Sequence, residues 1–109
     1  MIYIKYDNFT LEVWGHANSA EYGKDLVCCA VSSLTYALEA HLMRHDEYRG
    51  VTTRNPVDAA FKATARPKLL YDNRCREVFE TVMDGLRLLA RNYPDNITII
   101  ERGNDNGGD

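Results

Sequence analysis

The chain has 109 residues, of which 45% are hydrophobic and 27% charged, and its formal net charge is −3. This length fits one domain with one core, and the apolar content excludes global disorder. The negative charge argues against a nucleic-acid binder that works by neutralising phosphates. The three cysteines, Cys28, Cys29 and Cys75, include an adjacent pair and give no disulfide framework, so we expect a reducing cytoplasm.

No targeting or membrane segment is predicted. The N-terminus alternates apolar and other side chains and meets a charge at Lys5, which is unlike a secretory signal. No uninterrupted apolar run approaches the roughly 18 residues of a membrane helix. We therefore expect a cytoplasmic protein with no membrane partner.

The first 23 residues predict a hairpin followed by a loop. Apolar side chains alternate with others over residues 2–6 and again over 9–14, which is the period of half-buried strands. Asp7-Asn8 between the two runs predicts a turn, and the second strand ends at Gly15-His16-Ala17. The polar stretch 18–23 predicts a loop.

From Lys24 the apolar period becomes helical. One face collects Val27, Ala30, Val31, Leu34, Ala37, Leu38, His41 and Leu42. Asp25 suits the positive N-terminus of a helix, and Arg44 with His45 suits its negative C-terminus. We expect this helix to end before residues 46–50.

The middle of the chain allows two interpretations. Residues 51–54 are mostly β-branched, 55–58 predict a turn, and apolar side chains alternate with polar ones over 61–66. This pattern predicts a second hairpin, although its alanines are poor strand formers. The alternative is a short helix over 58–64, and Pro67 ends either element.

The remainder predicts a second helix and a last strand. An apolar stripe runs from about Asn73 to Tyr93, where Pro94 stops the helix, and residues 97–99 form a strand that could extend to 100. Residues 103–109 are a polar, glycine-rich tail that we expect to be disordered. The order ββαββαβ predicts a single two-layer α+β domain over 1–102, with two helices on a mixed, mostly antiparallel sheet.

His16 and Cys28 are the candidate catalytic pair. A thiol in the first turns of a helix is favoured as thiolate by the helix dipole, and a nearby imidazole adds an ion pair and a general acid. Gly15 and Gly23 bracket the connecting loop, while Asp25 and Ser32 share a helix face with the cysteine. The structural alternatives are a packed Cys28, a His16 that caps its strand, an Asp25 that caps the helix and a Ser32 bonded to its own turn.

Three short segments together resemble the ribosomal-processing cysteine proteases of the Prp family: Gly15-His16-Ala17, Glu21-Tyr22-Gly23 and Asp25-x-Val27-Cys28-x-Ala30-x-Ser32. Position 29 departs from the pattern, since it is cysteine where the family usually has alanine. After the first helix no motif matches residue by residue.

The resemblance implies a homodimeric, cofactor-free cysteine protease. Such an enzyme removes a short N-terminal extension from a large-subunit ribosomal protein, cleaving after two aromatic residues and before a small one. By residue-wise transfer, Cys28 is the nucleophile, His16 is base and acid, and Asp25 and Ser32 are supporting residues. The loop between Gly15 and Gly23 would rearrange around the peptide, and main-chain N–H groups at the helix start would bind the oxyanion.

Three other functions compete with this one. A prophage-encoded relative would process a phage capsid or scaffold protein instead. A dimeric binding module would hold its partner without cutting it. A redox sensor would use Cys28 and Cys29, but adjacent helical cysteines are poorly placed for an unstrained disulfide.

The remaining signals favour structural roles. His41 and His45 have a spacing that can hold zinc, but no further ligand accompanies them, so we favour charge complementarity at the helix end. The locally basic stretch 62–76 predicts a solvated face, with ribosomal RNA as the alternative contact. Nucleic acid is thus expected only indirectly, through the ribosome, and no glycine-rich phosphate loop indicates a nucleotide.

Overall fold

A computed structural model describes residues 1–16, 22–57 and 59–101, with the main chain alone at 22–25. The elements in chain order are β1 (Ile2–Asp7), β2 (Thr10–Gly15), α1 (Tyr22–Arg44), β3 (Val51–Asn55), β4 (Ala60–Thr64), α2 (Asp72–Asn92) and β5 (Ile97–Glu101). The five strands form one sheet in the order β3-β4-β2-β1-β5. All pairs are antiparallel except β1 with β5. The predicted α+β class and the ββαββαβ order are confirmed.

Both helices cover one face of the sheet. On α2, Phe79 is fully buried and its ring centroid lies 6.0 Å from those of Tyr6 and Phe9. On α1, the buried apolar side chains that face the sheet are Val27, Val31, Leu38 and Leu42. The opposite sheet face carries a stacked pair, Tyr3 and Trp14, whose ring centroids are 5.6 Å apart.

α1 begins earlier than the sequence predicted. Tyr22 and Gly23, assigned above to a loop, belong to its first turn. Polar residues and glycine fit there because the first four N–H groups of a helix have no intrahelical acceptor in any case. The predicted loop residues 18–21 lie outside the described residues.

α1 also meets a length-and-composition criterion for a membrane-spanning helix. The segment Leu26–Arg44 has a mean hydropathy of 1.4, although it contains no uninterrupted apolar run of that length. Buried side chains every three or four residues pack it on the sheet, and Glu39 forms an ion pair with Arg54 of β3. Only part of the apolar character of α1 thus serves the protein core, since Leu26 and Met43 of the same segment are exposed.

The two interpretations of the middle region are resolved in favour of the hairpin. β3 and β4 pair antiparallel, and the alternative helix over 58–64 is wrong. Ala63 and Ala65 are buried, whereas Lys62 before them and Arg66 after them are exposed. Burial against the helix layer and cross-strand pairing outweigh the weak strand propensity of alanine.

The C-terminal elements follow the prediction with small shifts. α2 ends two residues before Pro94, and β5 continues to Glu101, beyond the predicted 97–99. The extension is stabilised by Arg87, which donates hydrogen bonds to both carboxylate oxygens of Glu101 at 2.5 and 3.0 Å. The tail 103–109 lies outside the described residues, so its disorder stays a prediction.

Candidate active site

A cavity of about 260 Å³ lies between the N-terminal half of α1 and the neighbouring ends of β2, β3 and β4. Its floor is apolar and includes Ile2, Val13 and Phe61. Its wall contains both members of the candidate pair, His16 and Cys28. The full lining is Ile2, Val13, Gly15, His16, Cys28, Val31, Ser32, Thr35, Tyr36, Arg54, Asn55, Pro56, Ala59, Ala60 and Phe61.

His16 reaches the cavity because β2 ends one residue earlier. Gly15 has a φ of +99°, and a side chain at this position would overlap the carbonyl oxygen of Met1. Only glycine adopts that conformation without strain. The main-chain nitrogen of Met1 donates a 2.6 Å hydrogen bond to the carbonyl of His16, so the backbone carrying the imidazole is held against β1.

Cys28 is the seventh residue of α1, partly buried, and packs against the core. This position is in the second turn of α1, whereas the helix dipole acts mainly within the first turn. The N–H groups of the first turn, at residues 22–25, have no acceptor within the helix and precede the thiol along the helix axis. Ser32 lies one turn after Cys28 and lines the same cavity.

Four of the six predicted site residues therefore share one cavity: Gly15, His16, Cys28 and Ser32. Gly23 and Asp25 lie in the first turn of α1. The side chain of Asp25 and the segment 17–21 are outside the described residues, so their predicted roles stay predictions.

Arg54 is the cavity residue that the sequence analysis missed. Its Nη2 donates to Glu39 Oε1 at 2.9 Å and to Thr35 Oγ1 at 3.3 Å. Its guanidinium carbon lies 4.1 Å from the ring centroid of Tyr36 and 4.6 Å from that of Phe61. Its Nε is buried and has no hydrogen-bond partner in the described part of the chain. The sequence offered no local signal for this role, because it depends on a contact across 19 residues with Thr35.

Thr35 connects Arg54 to the helix that carries the cysteine. The threonine side chain is 2% exposed, and its hydroxyl donates a 2.9 Å hydrogen bond to the carbonyl of Ser32. The same hydroxyl accepts from Arg54. A chain of contacts thus runs from Glu39 through Arg54 and Thr35 to the turn of α1 beside Cys28.

The other cysteines occupy different environments. Cys29 is exposed, and its carbonyl accepts a 2.9 Å hydrogen bond from the Ser33 hydroxyl. Cys75 is fully buried on α2. Burial and then the Asp72 carboxylate raise the pKa of the Cys75 thiol to about 11, which disfavours the reactive thiolate.

His41 and His45 stack with ring centroids 4.2 Å apart at the end of α1. His45 Nδ1 lies 3.2 Å from Glu47 Oε2, and the phenol ring of buried Tyr48 stacks on both imidazoles. Among the residues that the structure describes, no group of three or more histidine, cysteine or carboxylate side chains could hold a metal ion. The cluster closes the end of the helix layer, away from the cavity.

The fold and cavity define a two-layer α+β protein with a cysteine and a histidine on one cavity wall. The sequence profile of the family described as cysteine protease Prp matches residues 1–98. The chain therefore belongs to the cysteine protease Prp family. No curated protein sequence matches the chain.

Solved structures share this fold over nearly the whole chain. SMU.848 from Streptococcus mutans is 26% identical with a TM-score of 0.77, and the alignment covers 93% of each chain. The essential ribosomal processing protease Prp from S. aureus, with a covalently linked product peptide, is 17% identical with a TM-score of 0.74. The complex of that protease with a substrate peptide is 17% identical with a TM-score of 0.73. Both alignments cover 93% of this chain and 97% of the other.

Proposed function

We propose that this protein is a cytoplasmic cysteine endopeptidase that removes a short N-terminal extension from a bacterial large-subunit ribosomal protein. One observation carries the proposal: His16 and Cys28 come from different elements, yet they line the same cavity. Membership of the cysteine protease Prp family supports the reaction. The ribosomal processing protease of the same fold, solved with substrate and product peptides, supports the kind of substrate.

In the proposed mechanism, Cys28 Sγ attacks the carbonyl carbon of the scissile peptide bond as a thiolate. The tetrahedral oxyanion is bound by main-chain N–H groups near the start of α1. The C–N bond then breaks, His16 donates a proton to the leaving amine, and a thioester remains on the cysteine. His16 then takes a proton from water, which hydrolyses the thioester. The products are a carboxylate and the regenerated pair of Cys28 and His16.

The surroundings of the pair have proposed roles of their own. The apolar floor of the cavity would bind substrate side chains and exclude water. Asp25 and Ser32 would support the site from the helix, and the segment between Gly15 and Gly23 would rearrange around the peptide. The proposal includes a homodimer, as the resemblance implies, so sedimentation at micromolar concentration should give about twice the 12.4 kDa chain mass.

A cleavage assay with mass-spectrometric detection tests the proposal. One panel holds N-terminally extended large-subunit ribosomal proteins, and a second holds phage capsid and scaffold proteins. Wild type should cut only in the first panel, after two aromatic residues and before a small residue. Cys28→Ala should still bind the precursor but lose at least about 1000-fold in cleavage rate.

Cys29→Ala is the matched control, because the neighbouring thiol is exposed on the same helix. It should cleave at the wild-type rate. Full cleavage by Cys28→Ala would reject the assigned nucleophile, and unchanged cleavage by His16→Ala would leave the histidine a structural role. A cut in the phage panel alone would replace the ribosomal substrate, and binding without any cut would indicate a non-catalytic module.

A further inference from the structure

β3 is an edge strand that has no lysine, proline or bulge, and its one charged side chain, Arg54, is directed towards α1. In the described part of the chain, β4 pairs with it on one side and no strand pairs on the other. Native edge strands commonly carry lysine, proline or a bulge that prevents further pairing. β3 has the sequence Val-Thr-Thr-Arg-Asn, and its pairing with β4 is continuous over all five residues. Its outer edge can therefore accept another extended chain.

This edge leads towards the candidate active site. Thr52 donates to Glu39 of α1 at 3.4 Å, and Arg54 reaches Thr35, one helical turn closer to the helix N-terminus. β3 and α1 thus run in opposite directions, and the end of β3 lies beside Thr35, about two helical turns after Cys28. Arg54 itself lines the cavity that contains Cys28.

Cavities flank the last residues of β3 on both faces of the sheet. On the helix side, Arg54 borders the cavity of the candidate pair. On the open side, Thr53 borders a second cavity of about 230 Å³, which Trp14 and Lys62 also line. The side chains of an added strand would point alternately towards these two faces. Proteins that bind a peptide as an extra strand gain affinity from its main chain and specificity from pockets for alternate side chains.

We propose that the outer edge of β3 binds an extended segment of the polypeptide substrate as an additional strand. The inference rests on the proposed function, because it identifies how the same site holds its substrate. Main-chain hydrogen bonds to β3 would supply affinity that does not depend on the substrate sequence. The two flanking cavities would then select alternate side chains.

The geometry also locates the paired segment relative to the scissile bond. Thr35 and Cys28 are seven residues apart on α1, which corresponds to about 10 Å along the helix axis. An extended chain covers this length in about three residues. Because Arg54 contacts Thr35, the substrate residue beside Arg54 should lie about three residues from the bond that Cys28 attacks.

The test is a backbone N-methyl scan of one substrate peptide. Ten-residue peptides are copied from the ribosomal precursor that wild type cleaves in the assay above, each with a single N-methylated amide. Binding is measured with the Cys28→Ala protein, and cleavage with wild type. Loss of one main-chain hydrogen bond should weaken binding about 3- to 10-fold. Such losses should fall on alternate positions, on one side of the scissile bond and starting about three residues from it.

The outcomes separate this inference from the proposed function. If wild type cleaves the unmodified peptide but the scan shows no loss, or equal losses at every position, the strand-addition proposal is overturned and the protease remains. If wild type cleaves no precursor, the proposed function fails and the strand-addition proposal fails with it. Alternating losses at the expected distance support both.

Substitutions in β3 provide a second readout. Successive N–H groups along a strand alternate in direction, so one of Thr52 and Thr53 donates towards β4 and the other towards the open edge. Thr52→Pro and Thr53→Pro therefore form a matched pair. The variant that keeps the wild-type melting temperature should raise KM about 3- to 10-fold with unchanged kcat. A wild-type KM in that variant would overturn the proposal. If the same variant is also monomeric, the outer edge of β3 is a contact between subunits instead.

Discussion

The helix layer has two sides, one formed by α2 and the other by the N-terminal part of α1. They differ in how closely their side chains pack and how completely their polar atoms are hydrogen-bonded. On α2, Phe79, Met83 and Leu86 are fully buried. Around the start of α1, a cavity of about 260 Å³ remains and the buried Nε of Arg54 has no hydrogen-bond partner among the described residues. Incomplete packing of this kind is tolerated where a site must receive a ligand.

The charged groups of the two sides show the same contrast. Arg87 of α2 contacts three carboxylates, those of Glu101, Glu80 and Asp84, at 2.5 to 3.5 Å. This network joins α2 to β5 away from the cavity. Arg54, in contrast, uses one nitrogen for its hydrogen bonds to described residues, and its guanidinium lies against two aromatic rings at the cavity wall. The α2 side thus supplies stability, and the α1 side supplies the site.

The largest expected effect is the loss of stability when a buried side chain of α2 is truncated. Phe79→Ala removes a fully buried ring that contacts both Tyr6 and Phe9. The lost burial and the remaining cavity should lower the free energy of unfolding by about 3 to 5 kcal/mol. Urea denaturation monitored by circular dichroism measures this change.

Leu88→Ala is the control on the same helix, since Leu88 is 54% exposed. Its free energy of unfolding should stay within about 0.5 kcal/mol of wild type. A loss below 1 kcal/mol for Phe79→Ala would contradict the assignment of this region as the stabilising one.

A smaller effect on stability and a clear effect on activity are expected at Gly15. Gly15→Ala places a side chain at a φ of +99° and against the Met1 carbonyl. The strain should cost about 1 to 3 kcal/mol. Because the backbone of His16 must shift to relieve it, kcat should fall about 10- to 100-fold in protein that is still folded.

Thermal unfolding and steady-state cleavage of the same Gly15→Ala preparation separate the two consequences. A fully folded variant with unchanged kcat would mean that the position of His16 does not depend on this turn. Unchanged stability and unchanged kcat together would reject the close contact with Met1.

The smallest effect is a pH dependence from the end of α1. Burial, and then the neighbouring charges of His45 and Arg44, lower the pKa of His41 from its ordinary value of 6.5, against the opposing effect of Glu47. The unfolded chain then binds a proton at His41 more readily than the folded chain does. The contribution of His41 to the free energy of unfolding is therefore complete above pH 6.5 and is lost as the pH falls below this value.

His41→Gln should flatten this part of the stability profile, because glutamine does not titrate. Urea midpoints of wild type and variant between pH 7 and pH 5 give the comparison. The difference between the two proteins should grow as the pH falls through the ordinary histidine range. A constant difference would show that protonation of His41 does not affect stability.

The candidate site could be predicted only where its residues lie close in sequence or match the family motif. Gly15, His16, Cys28 and Ser32 were predicted together, and they line one cavity. Arg54 was not, because its role depends on β3 packing beside α1, a contact across 19 residues with Thr35. No local pattern in the sequence carries information about such a contact.

The sequence by itself determined the order of the elements and the two-layer class, because apolar periodicity is a local property that each strand and helix shows alone. It also placed both α-helices nearly correctly. The tertiary structure decided the order of strands in the sheet, the parallel pairing of β5 with β1 and the hairpin in the ambiguous middle region. These features depend on which distant segments meet, and the free energy of burying Ala63 and Ala65 outweighs their local propensity only once the helix layer covers them.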